Sequence, residues 1–348
     1  MKRILTAVSA LALLTACGDG NPFFDESGNP VTTPVTTTGD TIGDGGGITT
    51  DGALPPGTDN PNVNDGIFRF ESPDSASGGL VTEVSYNSAQ DTFTVDNVGF
   101  DGANVYQRDT AVPTLNGTRI FAADEVTDDF LTGQQVGQIV PYRAMYGVSG
   151  RQVDGEPRTS FAIVRTGGYV PFGYGGYVYE RNGGVVLPET GQATFSGKYA
   201  GMRVFDNRTG LEYTTGDMRL DIDFEDFNAN DAVKGLISNR QAFDDKGNQI
   251  QLGTGEKDLK LPDIRWVIQE GAPSLTANGE ITSNVFSTLR NADGAEEEYE
   301  TGTYTGIIAG DTTSGNGGEV VGIIRIESAD PRFGGVQAQE TGGSILTR

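Results

Sequence analysis

Only carboxylates are plentiful enough in this sequence to suggest general chemistry. The densest run is Asp221 to Asp231, "DIDFEDFNAND", rich in oxygen ligands. A calcium-binding EF-hand loop needs glycine at its sixth position and glutamate at its twelfth, and no register starting at Asp221 or Asp226 supplies both. The run therefore reads as a solvated strand face and turn. Glu296 to Glu300, "EEEYE", reads as a solvated stretch before a strand. Histidine is absent and cysteine occurs once, at Cys17. These two facts remove Ser-His-Asp and Cys-His nucleophiles, histidine-ligated zinc or haem, an internal disulfide and a CxxC redox pair. No phosphate loop ending in GK[ST], no GxSxG elbow and no Rossmann fingerprint in context occurs. Hydrolysis by a carboxylate pair has no motif behind it. The expectation is a protein that is not an enzyme and uses no metal or cofactor.

The second pattern with chemical content is aromatic. "GGYVPFGYGGYVYERNGG", Gly167 to Gly184, sets tyrosine and phenylalanine among glycines and one proline. Tyrosine gives a protein-binding surface large contact area with few rotors to freeze. Tyr177 and Tyr179 share one face of a strand and read as core. Tyr169, Phe172 and Tyr174, nearer Pro171 and the turns, are the candidate ligand-binding residues, with the segment from Asp206 to Thr214 as the other place to look.

Strands must position these groups. Met218, Leu220, Ile222 and Phe224 alternate with Arg219, Asp221 and Asp223, the period of a half-buried strand. The same alternation recurs at Ile264, Trp266 and Ile268, at Tyr304, Gly306 and Ile308, and at Val320, Gly322, Ile324 and Ile326. Glycine inside such strands predicts bends in a curved sheet. From Gly191 to Arg348 the count reaches about eight strands, the number at which a closed barrel is filled by its own side chains. Leu, Ile, Val and Trp are expected to fill it. Outward Arg219, Asp221, Asp223 and Arg265 argue against a lipid-facing barrel. Residues 66–190 form a smaller β-rich unit, with hairpins expected around "NSAQD" and at Asn116-Gly117.

Ahead of both lies "MKRILTAVSALALLTACGDG". Lys2 and Arg3, an apolar stretch from Ile4 to Leu14 and small residues before Cys17 make a secretory signal, residues 1–16, too short to span a membrane. Residues 17–65 are rich in Gly, Thr, Pro and Asp and read as a disordered tether with a reach of roughly 40 Å. The net charge of −24, or −26 once Lys2 and Arg3 are lost, repels nucleic acid and anionic lipid.

Two resemblances add to this reading. "LTAC", Leu14 to Cys17, resembles the lipobox of bacterial lipoproteins, which implies diacylglycerol on the Cys17 sulfur and a lipid anchor in the outer membrane, on its surface or its periplasmic face. "ATFSGKYAG", "LDIDFED", "GLISN", "GTYTGIIAG", "GEVVGIIRIES" and "ETGGSIL", in this order, resemble the barrel of transferrin-binding protein B and its lipoprotein relatives. The resemblance covers roughly the last 160 residues. It implies an all-β fold with an eight-stranded soluble barrel after a smaller handle-like domain, in a single lobe where the type member has two. It also implies a Gram-negative surface lipoprotein that binds an extracellular protein or small nutrient ligand. The alternative is a non-catalytic structural or assembly role in the cell envelope.

Overall fold

The alternating stretches become strands, and so does nearly everything between them. The computed structural model describes residues 54–348 except 74–77, 96–97, 99–104, 125, 129–131, 139, 225–231, 253–259, 269–274, 291–292, 314 and 316. Among the described residues every regular element is a β-strand. The first group holds β1 (Ile67–Phe70), β2 (Val84–Asn87), β3 (Thr92–Val95), β4 (Val105–Arg108), β5 (Thr114–Leu115), β6 (Thr118–Ala122), β7 (Val126–Asp128) and β8 (Gln135–Gly137). It continues with β9 (Arg143–Val148), β10 (Gln152–Val153), β11 (Glu156–Pro157), β12 (Thr159–Arg165) and β13 (Gly175–Arg181). Its main sheet runs β1-β13-β12-β9-β6-β4-β3-β2, with β5 beside β6. The expected hairpins are both present: β2 pairs with β3, and β5 with β6 across Asn116 and Gly117, whose φ values of 48° and 90° suit a type I′ turn.

After β14 (Val185–Val186) come β15 (Gln192–Asp206), β16 (Glu212–Asp223), β17 (Val233–Phe243), β18 (Gln249–Ile250), β19 (Ile264–Ile268), β20 (Glu280–Arg290), β21 (Glu296–Asp311), β22 (Glu319–Ala329) and β23 (Gln337–Thr347). Leaving out the short β18, each pairs antiparallel with the next, and β23 returns to β15. The fold is therefore all-β: a closed eight-stranded antiparallel barrel preceded by a curled half-barrel handle.

Closure gives every barrel strand an inward set. Phe195, Leu220, Ile222, Val233, Ile268, Ile281, Ile308, Val320 and Leu346 meet inside the lower half. Above them Trp266 and Tyr304 lie with ring centroids 4.7 Å apart. Gly235 serves this packing by leaving room, since a Cβ there would stand 1.9 Å from Trp266 Cε2. The upper interior departs from the all-apolar expectation. Buried Arg240 donates to Glu300 at 2.6 and 3.0 Å and to Glu340 at 2.9 Å, while Ser287 Oγ donates to Glu300 and Tyr199 OH to Glu340 at 2.6 and 2.7 Å. Burial alone would lower the Arg240 pKa, but the two carboxylates outweigh it and hold the guanidinium firmly charged.

The handle sheet is buried on both faces. Phe93, Tyr106, Phe121, Tyr142, Ala162 and Val164 lie within its own curl. Ile120, Met145, Phe161, Ile163, Tyr177 and Tyr179 meet Ala200, Met202, Val204, Tyr213, Val321 and Ile323 from the outside of the barrel. Each such side chain contributes about 1.5–3 kcal/mol on leaving water. Polar groups are matched across the seam: Arg69 holds Glu280 at 2.7 Å, and Ser149 and Thr159 donate to Glu319 at 2.8 and 3.0 Å. Asn116 Nδ2 reaches the carbonyls of Tyr199 and Gly216, each at 2.9 Å.

Residues 54–65, the end of the stretch expected to be a tether, run beside β1. Thr58 N donates to Phe68 O at 2.9 Å and Phe70 N to Pro56 O at 3.0 Å. Arg181 takes the carbonyls of Asn62 and Asp65 on one side and those of Asn278 and Ile308 on the other. A buried guanidinium needs acceptors on all its N–H groups, and these backbone carbonyls supply them.

Candidate functional site

Between β12 and β13 the chain makes the loop 166–174. Thr166 N donates to Tyr174 O at 3.0 Å and Thr166 Oγ1 to Val140 O at 2.7 Å, which closes its base. Gly173 N donates to Val170 O at 2.9 Å, so Pro171 and Phe172 occupy the centre of a four-residue turn. Proline first and a φ of 60° second is the pattern of a type II turn, whose second central position ordinarily holds glycine. Tyr169 also has a left-handed φ, 76°. The other six described non-glycine residues with positive φ are all Asn or Asp, whose short side chains tolerate that conformation. Two aromatic residues in it cost about 1–3 kcal/mol each.

The barrel over-determines this loop. Phe172 N donates to Phe205 O at 3.0 Å and Gly210 N to Gly167 O at 2.7 Å. The approach at Gly167 is so close that a Cβ would stand 2.2 Å from Gly210 O. The aromatic loop and the segment 206–214, two separate places to look in the sequence, are thus one surface. Tyr169 is 46% exposed and its hydroxyl donates to Gln138 Oε1 at 3.1 Å. Phe172 is partly buried against the handle–barrel core and Tyr174 against the core inside the handle's curl. Tyr177 and Tyr179 are buried strand residues, as their spacing indicates.

A third segment completes the face. Asn207 Nδ2 donates to Gly335 O at 3.2 Å, drawing in the turn 330–336 with Phe333, 45% exposed. The Arg208 guanidinium lies over both Phe205 and Phe333, 4.2 and 4.8 Å from the ring centroids. Beneath it, Glu212 receives Arg208 at 3.0 Å and Arg332 at 2.9 Å, and Arg332 also holds Asp330 at 2.6 Å. Burial pushes the Asp330 pKa up, but the hydrogen bonds from Arg332 prevail and hold it below the usual carboxylate range. A cavity of about 290 Å³ opens beside this network, lined among others by Val140, Arg143, Arg208, Leu211, Asp244 and Arg332. Arg332 and Phe333 were missed in the sequence, and Arg208 was covered only as part of the segment 206–214. Their signal is "FDNRTG" and "DPRFGG", arginine inside a turn of Asn, Asp, Pro and Gly with a phenylalanine close by.

Cys17 lies outside the described residues, as do 225–231 of the acidic run. Among the described residues no group of three His, Cys, Asp or Glu could hold a metal ion, and no helix is long and apolar enough to cross a membrane. No protein-family model matches this sequence, and no curated protein matches it. Among solved structures, the chain is distantly similar to a double mutant of the vaccine antigen transferrin binding protein B from Haemophilus parasuis Hp5, at 12% identity and a TM-score of 0.34, over 78% of this chain. The match takes in 45% of that protein's chain, so this chain spans less than half its length.

Proposed function

We propose that this chain is a lipid-anchored binding protein of the Gram-negative outer membrane, whose ligand is a protein or peptide docking on the Tyr169–Arg208–Phe333 face. The observation that supports the docking face is the strained loop 166–174. Left-handed backbone at Tyr169 and Phe172 works against folding, and such strain persists where geometry serves recognition. The loop holds the Tyr169 ring in solvent while Phe172 and Tyr174, half-buried, fix its base. Phe333 and the stacked Arg208 supply a second aromatic anchor and a cation, residue types enriched at protein interfaces. The anchor rests on the leader sequence and on Cys17 as the sole cysteine.

The test uses the full chain with Cys17→Ser, immobilised and exposed to the fluids in which the bacterium grows. One or a few proteins should be retained and then lost when Tyr169→Gly and Phe333→Ala are introduced together. Retention unchanged by that pair moves the site off this face. Unchanged membrane partitioning of Cys17→Ser removes the anchor.

A further inference from the structure

Between β6 and β9 the chain leaves the main sheet of the handle and forms a short ribbon. Those two strands pair up to Ala122 and Arg143, and Ala123 N still donates to Tyr142 O at 3.0 Å. Beyond that, β7 and β8 form a two-stranded sheet of their own, with Val126 opposite Gly137, Thr127 opposite Val136 and Asp128 opposite Gln135. Directly opposed residues share a face, so Val126 and Val136 point to opposite sides. They are 49% and 48% exposed, among the largest exposures of any described apolar side chain. Among the described residues no further strand pairs with either edge. A two-stranded ribbon is marginal in water, and open edges beside β-branched side chains are templates for a further strand.

Charge decides which strand that is. Between Arg119 and Arg143 the chain has no Lys or Arg and four acidic residues, Asp124, Glu125, Asp128 and Asp129. Asp124 and Asp128 are exposed. A second copy of this chain would bring the same four charges against these, on a molecule already at −24. A basic strand would neutralise them.

We propose that the β7–β8 ribbon is a strand-addition site for a basic, extended segment of a partner protein. The partner's main chain pairs along a free edge, its apolar residues cover Val126 or Val136, and its Lys or Arg side chains face Asp124 and Asp128. The site uses the ribbon's own edges and carboxylates and not Tyr169 or Phe333, although the two places adjoin, since Gln138 just after β8 accepts from Tyr169 OH.

The probe is a short synthetic peptide alternating lysine with valine, added to the full chain carrying Cys17→Ser, with a glutamate–valine twin as control. The lysine peptide should bind at low salt, weaken as salt rises, and slow hydrogen exchange at 126–128 and 135–137. Asp124→Lys with Asp128→Lys should weaken it about tenfold or more. Glu297→Lys with Glu298→Lys, the same charge change on exposed barrel residues, should leave it unaltered. The inference is overturned by no binding, by binding without protection of those amides, or by equal losses in the two charge variants. Self-association that Val136→Lys abolishes would also overturn it, placing a second copy on the ribbon instead.

Discussion

The two halves of the barrel interior fill the same closed tube in opposite ways. The lower half does it with aliphatic and aromatic packing under the Trp266–Tyr304 pair, the upper half with Arg240 clasped by Glu300 and Glu340. Packed hydrocarbon tolerates no water and offers a ligand nothing to grip. The ionic half continues upward through Arg203, Glu212, Arg208, Arg332 and Asp330 to the surface where Tyr169 and Phe333 are exposed. The barrel thus has an apolar end and an ionic end, the latter beneath the proposed docking face. Buried ion pairs contribute less net stability than packed apolar groups, yet removing one partner is costly because it leaves the other charge buried and unpaired.

The largest expected effects sharpen this contrast. Trp266→Ala should cost about 3–5 kcal/mol in a denaturant titration, and removing neighbouring groups should recover none of it. Arg240→Met should cost about as much, because it strands two buried carboxylates, but adding Glu300→Gln and Glu340→Gln should restore most of the loss. Equal behaviour of the two series would erase the distinction between the halves.

Next in size is the effect at the proposed docking face. Tyr169→Gly should weaken ligand binding by about 2 kcal/mol or more. It should also leave the melting temperature unchanged or higher, since glycine accepts the left-handed backbone that tyrosine resists. A lower melting temperature would mean that the ring serves folding.

A smaller effect concerns pH. The Asp330 pKa is depressed in the folded state, so its contribution to stability is complete above the ordinary carboxylate value of about 3.9 and fades as pH falls through the lower folded value. Asp330→Asn should flatten the acid limb of the stability profile below about pH 4. The smallest change is expected from deleting residues 29–53, which lie outside the described contacts: the unfolding midpoint should barely move.

Much of the barrel was legible because period-two alternation states which side chains point inward; Leu220, Ile222 and Trp266 needed only their own neighbours to be assigned. Ala200, Met202, Val204, Val321 and Ile323 are apolar on the opposite face of the same strands. The sequence marks them as buried on both sides, as in "EVVGIIRI", without showing that the cover is Phe161 and Tyr179 from the handle. The ionic interior was hidden for a similar reason, since Arg240, Glu300 and Glu340 come from β17, β21 and β23 and meet only when the tube closes. At the candidate site, composition pointed to the loop holding Tyr169, Phe172 and Tyr174. It could not reveal the left-handed backbone, because propensity assigns that conformation to Gly, Asn and Asp.

Arg181 joins three parts of the molecule through carbonyls alone: Asn62 and Asp65 before the handle, Asn278 and Ile308 in the barrel, with its own backbone in β13. Mechanically it acts as a rivet. A pull from the N-terminal side of residue 54 would be shared between the β1–β13 ladder, loaded along its strands, and this clasp to the barrel, so that load reaches handle and barrel together.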